Sequence, residues 1–166
     1  MTTLHLGVLD IPYSEPPAPP RRKATIASAR RTRINPRSTS STTKSTGDVA
    51  EILEARYHVM EMFYHLREEY VANALAESVR GALENLVLGA PSSVSMTAEA
   101  ESDIIASFKK FLSMREMDAL GYPGIPTRAS LEGVSHRFAR PHERRASRPS
   151  FIDTGLYQSS FRAWVD

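Results

Sequence analysis

Between residues 48 and 121 the apolar residues recur at helical rather than strand spacing. Val49, Ile52, Leu53, Val59, Met60, Phe63, Leu66, Tyr70, Val71, Leu75, Val79, Leu83, Leu86 and Val87 trace one stripe, and Glu51, Glu54, Glu61, Arg67, Glu68, Glu77, Arg80 and Glu84 fall mostly between them. Asp48 with Glu51 three residues later reads as an N-cap and its capping-box partner. Gly89 followed by Pro91 reads as a stop. A single helix over that span would be about 60 Å long; one unbroken helix, or two with a break near Ala72–Asn73 or at Gly81, both fit the stripe. A second helix is expected from Ser95 or Thr97, with Glu99 and Glu101 in its first turn and Ile104, Ile105, Phe108, Phe111 and Leu112 as its buried stripe. It should end at Ser113, or after a further turn at Leu120-Gly121. Two such helices joined by Gly89–Val94 make a helical hairpin.

The ends of the chain follow a different period. Leu4, Leu6 and Val8 alternate with His5 and Gly7, which predicts a short strand. Leu9, Ile11 and Tyr13 continue the apolar character out of phase, and Pro12 limits this stretch to a sheet edge. Near the other end, Phe161, Ala163 and Val165 alternate with Arg162 and Trp164, which suits a terminal strand, and Asp153 or Thr154 is placed to cap a short helical turn before it. The expected fold is mainly α with minor β: a long amphipathic helical hairpin, short terminal strands, and extended N-terminal and C-terminal arms. Three segments follow: residues 1–47 as strand and basic arm, 48–121 as helical core, and 122–166 as an Arg-rich extended segment with the final strand.

Composition changes this picture mostly at the front. Pro16-Pro17-Ala18-Pro19-Pro20 favours an extended spacer, and residues 21–47 are poor in apolar side chains and rich in Ser, Thr and Arg. Such a stretch buries too little surface to order by itself in water, so its order is expected to come from a neighbouring chain. Residues 16–47 have a transit-peptide-like composition, but a strand precedes them, so a retained arm is expected. Residues 1–10 lack the basic head and long apolar run of a secretory signal, and the apolar runs are far short of the roughly 20 residues that cross a membrane. With 166 residues the chain suffices for one modest domain.

Charge is unevenly placed. Residues 16–47 carry eight cations (Arg21, Arg22, Lys23, Arg30, Arg31, Arg33, Arg37 and Lys44) and no acid, residues 48–120 carry thirteen acids against six cations, and residues 128–148 carry six arginines against Glu132 and Glu143. Two partners suit the basic arm: acidic faces of neighbouring subunits, or nucleic-acid phosphate.

Candidate chemistry is sparse. The chain has no cysteine, which removes disulfides, thiolate nucleophiles and cysteine zinc sites, and fits synthesis in a reducing cytosol. His58 and His65 are two helical turns apart, about 10 Å, too far for one metal ion. Ser135 and His136 are sequence neighbours, unlike the arrangement of a serine nucleophile and its base. The carboxylates Glu68, Glu69, Glu99, Glu101 and Asp103 sit where solvated helix faces are expected, and no Gly-rich phosphate loop is present. Tyr57, Tyr64 and Tyr70 with Met60, Met62 and Phe63 read as a packed helix face. No catalytic, cofactor or metal site is expected, and the chain is expected to act through contacts, not as an enzyme.

The C-terminal run Arg148-Pro149-Ser150-Phe151-Ile152-Asp153-Thr154-Gly155-Leu156-Tyr157-Gln158-Ser159-Ser160-Phe161 resembles a segment of tailed-bacteriophage virion-morphogenesis proteins, the head–tail joining and tail-completion proteins. In that family a Pro-containing lead is followed by an aspartate-threonine-glycine step, a Leu, then Ser before an apolar strand. Gly133-Val134-Ser135-His136-Arg137 is similar to a basic loop of such proteins. The stretches around Leu6-Gly7-Val8, Thr46–Glu51 and Tyr57–Met60 resemble a phage structural protein in layout. The resemblance implies a structural subunit of a virion, made in the host bacterial cytoplasm. It would form a homo-oligomeric ring in the neck (head–tail connector, collar or tail-completion ring) against portal, adaptor or tail proteins. Packaged DNA is a further possible contact, and no membrane is involved. Family members finish a small sheet after the Ser; here the chain stops at Asp166, so that sheet is expected to be either truncated or completed by another segment, such as residues 3–11. On this reading Leu4, Leu6, Val8, Ile11, Tyr13, Asp153, Thr154, Gly155, Leu156, Tyr157, Phe161 and Trp164 are expected at contacts with neighbouring subunits. The alternative expectation is a DNA-binding or nucleoid-associated protein that uses the basic arm.

Overall fold

The computed structural model of the chain describes residues 3–13, 44–90, 95–133 and 146–166. Within them the fold is mainly α with minor β, as the periodicities predict. The first helix, α1 (Thr46–Tyr57), starts one turn earlier than expected. Its cap is Ser45, whose hydroxyl accepts the Asp48 N–H while the Asp48 carboxylate accepts the Ser45 N–H. Asp48 is thus the third residue of a capping box, not the cap. The reason lies outside the helix. Residues 9–13 dock on this turn: Tyr13 N–H donates to the Lys44 carbonyl at 3.0 Å, and Thr46 N–H to the Ile11 carbonyl at 2.9 Å. The fully buried Thr46 hydroxyl accepts from Ile11 N–H at 2.8 Å and donates to the Leu9 carbonyl. Gly47 N–H reaches the Asp10 carboxylate at 3.1 Å, and a β-carbon on Gly47 would stand 2.8 Å from that oxygen.

The long stripe is interrupted at His58, not at Ala72–Asn73 or Gly81. His58 is left-handed (φ 50°, ψ 45°) and separates α1 from α2 (Val59–Val87). The Glu54 side chain makes the break tolerable. Its carboxylate accepts Met60 N–H at 2.8 Å and Glu61 N–H at 3.1 Å, satisfying two of the orphan donors that begin α2. Gly81 stays helical because an isolated glycine costs only about 1 kcal/mol there. Gly89 ends α2 as expected: its φ is +77°, Ala90 N–H bonds the Asn85 carbonyl, and Gly89 N–H bonds the Leu86 carbonyl, a Schellman stop.

The returning helix α3 (Ala98–Ser113) has Thr97 as its cap residue and runs antiparallel to α2, with Ser78 against Met96 at one end and Phe63 against Phe108 and Phe111 at the other. Ile104, Phe108, Phe111 and Leu112 are buried, and Ile105 is half-buried. A short helix α4 (Glu116–Ala119) follows left-handed Arg115, and its Glu116 pairs with Arg67 of α2 at 2.5 Å. The turn α5 (Arg128–Leu131) is capped by Thr127, and α6 (Leu156–Ser160) leads directly into the last strand.

Strand β1 (Leu4–Val8) pairs antiparallel with β2 (Phe161–Val165), from Leu4 opposite Val165 to Val8 opposite Phe161. Residues 3–11 therefore do complete the terminal sheet, and the first and third segments close together over the helical hairpin. Leu4, Leu6, Val8, Phe161 and Ala163 pack toward the core. On the other face the His5 and Trp164 rings stack at 5.3 Å, and Trp164 lies over Gly7, where a β-carbon would meet its ring at 3.1 Å. The core centre is aromatic: Phe108 stacks on Phe161 at 3.8 Å, and Phe63 meets Phe108 edge-on at 5.2 Å.

Candidate assembly surface

Among the described residues, the outer side of α2 and its last turns leave apolar surface exposed. α3 begins opposite Ser78, whose hydroxyl donates to the Met96 carbonyl at 2.8 Å. The last nine residues of α2, about 13 Å at 1.5 Å per residue, project beyond it. Val71 and Ser78 turn toward α3 and are buried, whereas Ala72, Ala76, Val79, Leu83 and Val87 lie on the opposite side of α2 and are exposed. Leu83 is 51 % exposed, Leu86 64 %, Val87 86 % and Leu88 82 %. Ala76, Val79, Arg80, Leu83, Glu84, Val87 and Leu88 line an open groove of about 620 Å³. Arg80 stands between two carboxylates on its margin, 3.1 Å from Glu84 and 3.7 Å from Glu77.

The C-terminal residues expected at subunit contacts are divided. Tyr157 and Phe161 are corrected: they are buried within this chain, at 3 % and 0 % exposure, against α3 and α2. A resemblance motif marks apolar residues without saying whether their cover comes from the same subunit or a neighbour. Leu4, Leu6, Val8, Tyr13, Gly155 and Leu156 are half-buried, while Ile11, Asp153, Thr154 and Trp164 are exposed. The Asp153-Thr154-Gly155 step serves the fold. Asp153 pairs with Arg148 at 2.7 Å, the Thr154 hydroxyl accepts Leu156 N–H at 3.3 Å, and Gly155 takes φ +76° as the cap residue of α6, a position expected at Asp153 or Thr154. This turn delivers Tyr157 and Phe161 to the core. Val165 N–H then bonds Glu101 at 3.2 Å, fastening β2 to the start of α3.

No model of a known protein family matches this chain, and neither a curated protein nor a solved structure does.

The basic-arm residues Arg21, Arg22, Lys23, Arg30, Arg31, Arg33 and Arg37 lie outside the described residues, as do Ser135, His136 and His142. Periodicity missed one cluster. The ligand-capable atoms of Glu54, His58 and Glu61 lie within 4.8 Å of one another. Glu54 caps α2 with both oxygens, and Glu61 pairs with His58 at 2.8 Å and approaches His65 at 3.8 Å. These contacts account for the cluster as the fastening of the α1–α2 joint. Glu54 could have been found by asking which acidic residue can reach back over a helix start. Of the aromatic and Met face, Phe63 is fully buried, Tyr57 packs on Phe151 with ring centroids 5.1 Å apart, and Tyr64 and Tyr70 are exposed. Among the described residues no helix is long and apolar enough to cross a membrane.

Proposed function

We propose that this protein is a structural subunit that works by association with identical copies, and that its setting is a ring in the neck or tail of a tailed-phage virion. The observation that carries the first part is the exposed apolar end of α2. Each Leu or Val side chain gains about 1.5–3 kcal/mol on full burial, and four of them here are half to nine-tenths exposed on one projecting helix end. Contiguous apolar surface of that kind marks contact sites. The virion setting is supported by the resemblance of residues 148–161 and by the layout of a rigid helical body beside a long basic, proline-spaced stretch.

The test is the mass and symmetry of the purified full chain by native mass spectrometry and particle imaging. Closed rings of identical copies are expected, and Leu83→Glu with Val87→Glu should release smaller species that keep their helical circular dichroism. A monomer at all concentrations would end the reading. The arm is tested by deleting residues 16–41 only, because β1 and Ser45 belong to the folded body. The second reading, a DNA-binding protein, rests on the acid-free run of eight cations over residues 16–47. It predicts duplex binding that falls steeply with salt and disappears on neutralising Arg21, Arg22, Arg30 and Arg31.

A further inference from the structure

We infer that the projecting end of α2 pairs with the same segment of a second copy, the two helices antiparallel about a two-fold axis near Gly81–Ala82. The inference rests on the structural-subunit reading and specifies its contact. Two features of the stripe choose the partner and the direction. The first is size. Ala72 and Ala76 occupy one end of the exposed stripe, and Val87 and Leu88 the other. An antiparallel pair lays the large end of each helix on the small end of its mate, with Ala76 facing the second copy's Val87. A parallel pair would set Val87 against Val87 and leave alanine facing alanine, with a gap between the backbones.

The second feature is charge. Arg80 and Glu84 border the same groove one turn apart. In the antiparallel pair the Arg80 side chain of each copy lies beside the second copy's Glu84, so the contact is made twice by symmetry. In a parallel pair the two Arg80–Glu84 margins lie on opposite edges of the contact, and neither gains an ion-pair partner from the second copy. The stripe is thus complementary to itself in one direction only, as a self-matching two-fold contact requires. Among the described residues, none covers the outer side of the last turns of α2. A two-fold contact closes on two copies. In a virion it would join subunits in pairs or two rings face to face, and ring closure would use a separate head-to-tail surface.

The chain has no cysteine, so single introduced thiols report proximity without background. Full-length Ala76→Cys and Val87→Cys proteins are oxidised separately, and the two reduced proteins are also mixed first and then oxidised together. The antiparallel pair predicts a disulfide-linked heterodimer in the mixture and little homodimer in either protein alone. In sedimentation, Arg80→Glu and Glu84→Arg should each weaken association at least tenfold, and their equimolar mixture should restore it. Homodimers of the separate cysteine proteins, or no cross-link in their mixture although the wild-type protein oligomerises, would overturn the pairing and leave the structural-subunit reading standing. A wild-type monomer at all concentrations would remove both.

Discussion

Replacing Thr46 by Val tests the idea that residues 9–13 and the start of α1 form one unit. Val has nearly the shape of Thr and a similar, low helix propensity, so the change isolates the hydroxyl. That hydroxyl accepts from Ile11 N–H at 2.8 Å and donates to the Leu9 carbonyl, and Thr46 is fully buried. Two net hydrogen bonds at about 1 kcal/mol each are lost, and two backbone groups are left without their partner, so a loss of about 2–4 kcal/mol is expected. Thr46→Ser keeps both bonds and removes one methyl, at about 1 kcal/mol. Urea unfolding followed by circular dichroism gives both values. It should be run at two protein concentrations, because association adds to apparent stability. A Thr46→Val protein within 0.5 kcal/mol of wild type, or one more stable than Thr46→Ser, would refute the reasoning.

Three other expectations concern single side chains. The Tyr157 hydroxyl is buried without a hydrogen-bond partner among the described residues. Burial, then the nearby Glu54 charge and then Tyr13, push its pKa well above the ordinary value. Tyr157→Phe should therefore match or exceed wild-type stability by about 1 kcal/mol. Because the folded pKa is raised, the neutral phenol's contribution is complete below pH 10 and lost above it, so the variant should also lose part of the alkaline decline in a pH series of unfolding curves. Asp10 is held below its ordinary 3.8 by hydrogen bonds from Ser45 and then Gly47. Its contribution is complete above that value and lost as pH falls through the lower folded value, so the stability gap between wild type and Asp10→Asn should be constant near neutrality and narrow in acid. Glu54→Ala, which removes the carboxylate that receives Met60 and Glu61 N–H, should cost about 1–2 kcal/mol in the same urea assay; no loss would mean that water caps α2 equally well.

The sequence by itself determined what depends on local period and local stops. The stripe of α3, the Gly89 stop, the alternation of Leu4, Leu6 and Val8 and that of Phe161, Ala163 and Val165 are each set by neighbours a few residues away, and each stands where the pattern puts it. The tertiary structure alone decided what depends on distant partners. The cap falls on Ser45 because residues 9–13 supply partners for that turn. The long stripe breaks at His58 because Glu54 can reach the amides beyond it. Tyr157 and Phe161 lie inside and Val87 and Leu88 outside, although all four are apolar. Hydrophobicity fixes that a side chain seeks cover. Which side chains this chain itself covers depends on which side of α2 meets α3 and on where α3 begins, nine residues short of the end of α2.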